Sequence, residues 1–131
     1  MSQNIKTAEP IIYQVEVRKD AIDELQRQLQ EEESQKHKKI ILEYPVVYIH
    51  NCEDAAKYDV YIGESYNIIK RTKQHLLASE DAGNWQNILK RKESRLFVIG
   101  HEHFNKSLTM DVENRLMRYM SSLQNVRRVH N

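Results

Sequence analysis

Two short tyrosine-bearing segments, separated by a polar stretch, constrain the fold of this chain more than any other feature of its sequence. The apolar run 46–49 predicts one strand, the polar stretch 50–57 a loop, and residues 59–62 an antiparallel partner strand. Side chains alternate along a strand, so a suitable register brings the phenols of Tyr48 and Tyr61 to one face of the sheet. We therefore expect a β-hairpin that presents two tyrosines together.

The patterns after this hairpin predict an α/β domain with helices around a small sheet. Residues 96–99 form an apolar run that is typical of a central, buried strand. Helices are predicted where apolar residues recur at helical spacing, at 67–79, 85–92 and about 108–123. The last helix is expected to bury Val112, Leu116, Tyr119, Met120 and Leu123. We expect a mainly antiparallel, three-stranded sheet flanked by these helices.

The first third of the chain predicts a strand and a helix appended to this domain. Residues 11–17 have strand-like composition, and Asp20 then suits the N-cap of a helix whose apolar stripe includes Leu25 and Leu29. The polar stretch 31–39 is the best candidate boundary. With 131 residues and 40% hydrophobic content, the chain suffices for one core. We divide it into an extension, 1–43, and a main domain, 44–131.

An arginine and a glutamate supply the charged groups that accompany the two tyrosines. Arg71 follows Tyr61 by ten residues and falls on a predicted helix. Glu113 lies between Met117 and Met120 on the last helix, because each helical residue turns by about 100°. A carboxylate on that partly apolar side needs a cation. The cation is a metal ion, Arg71 in a structural ion pair, or another basic group, and the two tyrosines favour the metal.

These four side chains contain the parts needed to hydrolyse a phosphodiester. A tyrosine can activate water, an arginine matches phosphate geometry, and a carboxylate can hold a divalent cation. Free tyrosine has a pKa near ~10, and the charges of Lys70, Arg71, Lys73 and a metal would favour the phenolate. The sequence does not separate Tyr48 from Tyr61 as the base, although we favour Tyr48.

The spacing of these residues resembles the GIY-YIG nuclease superfamily from about residue 44 onward. The run 61–65, Tyr-Ile-Gly-Glu-Ser, reproduces the second signature of that family, whereas the first signature has Val46 in place of its usual glycine. The functional positions that the resemblance implies are Tyr48, Tyr61, Arg71, His75, Glu113 and, beyond the last helix, Asn131, with Asn125 as second choice. His75 would assist phosphate or relay a proton.

The resemblance implies an endonuclease that hydrolyses DNA and depends on Mg²⁺ or Mn²⁺ held by Glu113. RNA as substrate is a weaker possibility, and a catalytically silent interaction domain on the same scaffold is the alternative function. The resemblance extends to bacterial proteins in which such a domain precedes a P-loop ATPase or helicase-like region. We therefore expect a downstream domain in a longer protein, because the chain stops without a polar tail.

Local clusters of basic residues, rather than overall charge, would have to bind nucleic acid. The formal net charge is only +1, so a globally basic surface is excluded. Three basic clusters flank the predicted site. A single cluster of this kind is more often an ordinary solvent-exposed surface than a binding site. The cationic residues that we expect to contact nucleic acid are Lys70, Lys73, Lys90, Arg91 and Arg115.

The remaining composition points to a cytoplasmic protein without a disulfide framework. Cys52 is the only cysteine, and no apolar run approaches the ~20 residues needed to span a bilayer. His50 with Cys52, and His101 with His103, are the two pairs of metal-capable side chains at alternate positions. A zinc site recruits four ligands, so we expect both pairs to be solvent-exposed rather than metal-binding.

Overall fold

Strands and helices account for most of residues 9–17, 21–54, 57–77 and 94–130, which a computed structural model describes. The strands are β1 (Ile11–Glu16), β2 (Val46–Asp54), β3 (Lys57–Ser65), β4 (Ser94–Gly100) and β5 (Val126–His130). The helices are α1 (Ala21–Glu31), α2 (Gln35–Glu43), α3 (Ile68–Leu77) and α4 (Lys106–Ser121). The helix predicted at 85–92 lies outside the described residues.

One sheet joins all five of these strands, in the order β1-β4-β2-β3-β5. The pairs β1–β4, β4–β2 and β2–β3 are antiparallel, whereas β5 runs parallel to β3. The predicted α/β class and mainly antiparallel sheet are confirmed. The sheet is wider than the predicted three strands because β1 extends one edge and β5, which was not predicted, extends the other.

The β2–β3 hairpin is longer than its sequence suggested. Its ladder runs from the pair Val46 and Ser65 to the pair Asp54 and Lys57, so most of the stretch 50–57 is strand rather than loop. Polar side chains there do not prevent pairing, since strand formation depends on cross-strand neighbours as much as on composition.

Helices cover both faces of the sheet. On one face, which we call the tyrosine face, Tyr48 is buried in a cluster that includes Leu25, Ile41 and Ile68 from α1, α2 and α3. On the other face, α4 packs against a cluster formed by alternate residues of β2 and β3. The predicted α4 stripe is confirmed at Val112, Leu116 and Met120.

The prediction was wrong for Tyr119, which is 62% exposed, and for Leu123, which is 38% exposed and follows the end of α4. Met117 packs against the cluster instead. Helical periodicity gives the direction of each side chain around the helix axis. How many of these side chains are buried depends on the shape of the sheet surface that the helix covers.

The extension and the main domain share one hydrophobic cluster. The polar stretch 31–39 contains the start of α2, which Ser34 caps by accepting a hydrogen bond from the His37 amide at 3.2 Å. Ile40 and Ile41 at the end of α2 are buried. The division at residue 43 stays a prediction. In the part of the chain that is described, no helix is both long and apolar enough to cross a membrane.

A close approach between Gly63 and the ring of Tyr48 fixes the centre of the hairpin. The two residues are directly paired across β2 and β3. A Cβ atom at Gly63 would lie 2.5 Å from Cζ of Tyr48 and would also overlap the phenol oxygen. Only glycine leaves room for the ring there, because aromatic carbons cannot approach that closely.

We expect Gly63→Ala to destabilise the protein by about 1–3 kcal/mol, because the added methyl group displaces the Tyr48 ring. Urea unfolding would measure the loss. Gly100→Ala is the comparison variant: a Cβ there meets Cδ1 of Ile41 at 2.7 Å and Cγ2 of Ile40 at 3.0 Å, so its cost should not depend on Tyr48. The cost at Gly63 should largely vanish in a Tyr48→Ala background. An equal cost in both backgrounds would show that the ring contact is not the cause.

Candidate active site

The two tyrosines of the hairpin lie side by side on the tyrosine face. Their ring centroids are 5.9 Å apart and the ring planes are inclined by 27°. A side-chain hydrogen bond joins the two phenols. The predicted sharing of one face is therefore confirmed, because the register sets Tyr61 opposite His50, two residues along from Tyr48.

Arg71 is placed by the first turn of α3. The side chain of Asn67 accepts a hydrogen bond from the Lys70 amide at 3.0 Å, and the Arg71 amide donates to the Asn67 carbonyl oxygen at 3.0 Å. This capping starts the helix directly after β3. The Arg71 side chain is exposed, and its charge reaches the Tyr48 phenol. A guanidinium group is thus available beside the tyrosines.

Glu113 comes to the same place from α4. Asn105 caps this helix by accepting a hydrogen bond from the Leu108 amide at 2.8 Å. Glu113 lies two turns further on and is half-buried, and its carboxylate charge also acts on Tyr48. The structure therefore brings together Tyr48, Tyr61, Arg71 and Glu113 from three separate stretches of the chain.

Burial dominates the acid–base behaviour of Tyr48, which is 2% exposed. Desolvation raises the pKa of its phenol well above the usual range, and Tyr61 and Glu113 raise the pKa further, while Arg71 lowers it. In the absence of a further cation, Tyr48 is protonated at neutral pH. The role of Tyr48 as the base stays a prediction. In that role, Tyr48 needs additional positive charge nearby to lower its pKa.

His50 lies beside the two tyrosines, which the sequence did not lead us to expect. Its side chain is 1% exposed, and its ring centroid lies 5.7 Å from that of Tyr48 and 6.2 Å from that of Tyr61. Cys52 is also fully buried. The expectation of a solvent-exposed His50 and Cys52 pair was wrong, since alternation from Tyr48 already placed both on the tyrosine face.

The other predicted site residues are described only in part. His75 and Lys73 belong to α3, but their side chains lie outside the described part, as do Lys90, Arg91 and Asn131. Lys70 and Arg115 are exposed, and Arg115 forms a surface ion pair with Asp111 at 3.3 Å. Their roles in binding nucleic acid stay predictions.

The alternative asparagine, Asn125, lies beside the start of β3. Its carbonyl oxygen accepts a hydrogen bond from the Tyr58 amide at 2.7 Å. Tyr58 precedes Gly63 by five residues, at the opposite end of the strand. Asn125 is therefore poorly placed for the role that Asn131 was given.

The carboxylate oxygens of Glu113 and the nearby phenol oxygen of Tyr48 suit a hard divalent cation that keeps most of its water. Among the described residues, no group of three or more His, Cys, Asp or Glu side chains is arranged to hold a metal. Mg²⁺ is commonly bound by one or two carboxylates, with water and substrate phosphate completing its shell. A single half-buried glutamate beside a phenol therefore fits Mg²⁺ or Mn²⁺ and does not fit a closed zinc site.

Comparison with known proteins identifies the family of the chain. Residues 44–125, more than half of the chain, match the family model of the GIY-YIG catalytic domain. Searches among curated proteins and among solved structures gave no match. The matched range includes the four convergent residues and most of the sheet. The chain therefore belongs to the GIY-YIG catalytic domain family, which indicates a nuclease-type activity on nucleic acid.

Proposed function

We propose that the protein is a divalent-metal-dependent endonuclease that hydrolyses DNA phosphodiester bonds. The observation that supports this most strongly is that Arg71 and Glu113, from different helices, both act electrostatically on the Tyr48 phenol. A domain retained only for binding would not need Glu113, because a carboxylate repels phosphate unless a cation lies between them. A catalytically silent domain is thus the weaker alternative.

Hydrolysis requires a deprotonated water, stabilisation of the charge that develops on phosphorus, and stabilisation of the departing 3′ oxygen. Arg71 would donate to the non-bridging oxygens, and its exposure leaves the guanidinium accessible to a polymer backbone. Glu113 would hold the cation, which supplies positive charge on the leaving side. Lys70 and Arg115 would bind neighbouring phosphates.

Tyr48 and Tyr61 would have different roles toward the attacking water. The side-chain hydrogen bond between the two phenols raises the pKa of Tyr48, so it favours the protonated form of Tyr48. Tyr61 is half-buried and more accessible than Tyr48. We retain Tyr48 as the base, with Tyr61 orienting the water. An N-terminal extension at residues 1–43, a cytoplasmic location and a downstream ATPase or helicase-like region are further parts of this proposal.

Arg71→Ala should lower the cleavage rate by about a hundredfold or more at saturating Mg²⁺, because the developing phosphate charge loses its guanidinium partner. Initial rates on plasmid and on labelled single-stranded DNA and RNA would measure the effect. Lys70→Ala, its exposed neighbour, is the control and should weaken binding in a salt-dependent way without a comparable loss of turnover. Equal losses for the two variants would assign Arg71 to binding alone.

Glu113→Gln should remove the response of cleavage to Mg²⁺ and Mn²⁺ while leaving DNA binding largely intact, because the amide is a poor ligand for a hard cation. Metal titrations of the cleavage rate, with binding measured in chelator, test this. Asp111→Asn on the same helix is the control, since Asp111 is exposed and forms a surface ion pair with Arg115. Retention of full metal response by Glu113→Gln would contradict the metal role.

The cleavage rate should increase roughly tenfold per pH unit between about pH 6.5 and 8.5, because the raised pKa of Tyr48 leaves only a small ionised fraction that grows with pH. Tyr48→Phe should abolish cleavage and its pH dependence. Tyr61→Phe should reduce the rate but retain a rising profile. If Tyr61→Phe alone abolished the profile, the base would be Tyr61 instead.

A further inference from the structure

A partly buried hydrogen bond joins the strand that carries Tyr61 to the helix that carries Glu113. The hydroxyl of Thr109, which is 0% exposed, donates to Oε2 of Glu64 at 2.5 Å. This distance is at the short end of the range for O–H···O hydrogen bonds, about 2.5–3.0 Å. The hydroxyl also lies 3.0 Å from the carbonyl oxygens of Asn105 and Lys106, within the first turn of α4.

The position of this bond relates it directly to the candidate active site. Glu64 follows Gly63, the residue over which the Tyr48 ring lies. Thr109 precedes Glu113 by four residues, so the two side chains share one side of α4 with Cβ atoms roughly 5–6 Å apart. Helical side chains lean toward the N-terminus, so Glu113 leans back over the turn that contains Thr109.

Apolar residues make further contacts between α4 and the sheet. Val112, Leu116, Met117 and Met120 pack against the cluster of β2 and β3 residues. Such packing stabilises the helix but is not directional, so it tolerates small rotations and shifts along the helix axis. A short hydrogen bond to a buried hydroxyl specifies both the rotation and the axial position of the helix at that turn.

We propose that the hydrogen bond between Glu64 and Thr109 is a positioning contact that holds Glu113 at the distance from the two tyrosines required to bind a divalent cation. This inference rests on the proposed function, since it assigns a metal to Glu113. Thr109 and Glu64 act through the position of Glu113 and touch neither substrate nor metal. Outer groups that orient metal ligands commonly change metal affinity by 10–100-fold when removed.

The test measures Mn²⁺ binding to the full chain by electron paramagnetic resonance, together with metal titrations of cleavage. Thr109→Val removes the hydroxyl at nearly constant volume and should weaken Mn²⁺ binding by about tenfold or more. Thr109→Ser keeps the hydroxyl and should restore affinity to within about threefold of wild type. Glu64→Gln keeps an acceptor oxygen and should lie between them.

Ser107→Ala is the matched control, because Ser107 is an exposed hydroxyl in the same turn of α4. It should leave Mn²⁺ affinity unchanged. Thermal unfolding of each variant separates the two possible causes: the proposal requires weaker Mn²⁺ binding in Thr109→Val while the protein remains folded at the assay temperature. Should Thr109→Val fail to fold, Glu64→Gln with the same measurements decides.

Three results would overturn the proposal. In the first, Thr109→Val binds Mn²⁺ as wild type does, and the hydrogen bond is then structural only. In the second, Glu64→Gln loses Mn²⁺ while Thr109→Val retains it, and Glu64 is then itself a ligand. In the third, wild type neither binds Mn²⁺ nor cleaves, and the proposed function fails along with this inference. The first two leave the proposed function standing.

Discussion

The Tyr48 ring lies directly over the backbone of Gly63, and the geometry of the whole site depends on this contact. The ring leans across β3, away from β4, because Gly63 has no side chain to block it. In the described residues, β5 pairs with β3 only from Tyr58 to Tyr61, so the edge of β3 beside Gly63 has no strand neighbour. The Tyr48 hydroxyl is thereby directed to the side of the sheet where the charge of Glu113 reaches it.

Under the proposed function, this arrangement would couple proton binding at Tyr48 to cation binding at Glu113. Burial and the charge of Glu113 both raise the pKa of Tyr48, and among the described residues Arg71 lowers it. Glu113 raises that pKa only while its negative charge is unbalanced, so a bound cation would lower the proton affinity of the phenol. By thermodynamic reciprocity, ionised Tyr48 would strengthen cation binding by the same factor. Cation binding at Glu113 and ionisation of Tyr48 are therefore expected to occur together.

The sequence predicted those parts of the structure that follow from local periodicity. Alternation placed Tyr48 and Tyr61 on one face, and the helical angle set Glu113 apart from the polar side of its helix. The same alternation also places His50 on the tyrosine face, although a polar side chain after an apolar run is more often exposed. Burial of a histidine depends on which neighbours enclose it, and here those neighbours are the two tyrosine rings.

Features that depend on distant partners were not predicted. β5 is a short segment that becomes a strand only because α4 returns the chain alongside β3, and parallel pairing of this kind leaves little local signal. α2 was not predicted because its first half is polar. Its two buried isoleucines, Ile40 and Ile41, can be identified as core residues only from their packing against the end of β4. Gly100 has no side chain there, which allows Ile40 and Ile41 to approach closely.

The extension contributes to the chemistry through the burial of Tyr48, although it precedes the range matched by the family model. Leu25 and Leu29 of α1 and Ile41 of α2 belong to the same buried cluster as Tyr48. Desolvation is the largest cause of the raised pKa of that phenol. Because the first two helices help to exclude water from the tyrosine face, they help to set how much positive charge the site must gather before Tyr48 can ionise. The first third of the chain is therefore part of the electrostatic environment of the site as well as of its core.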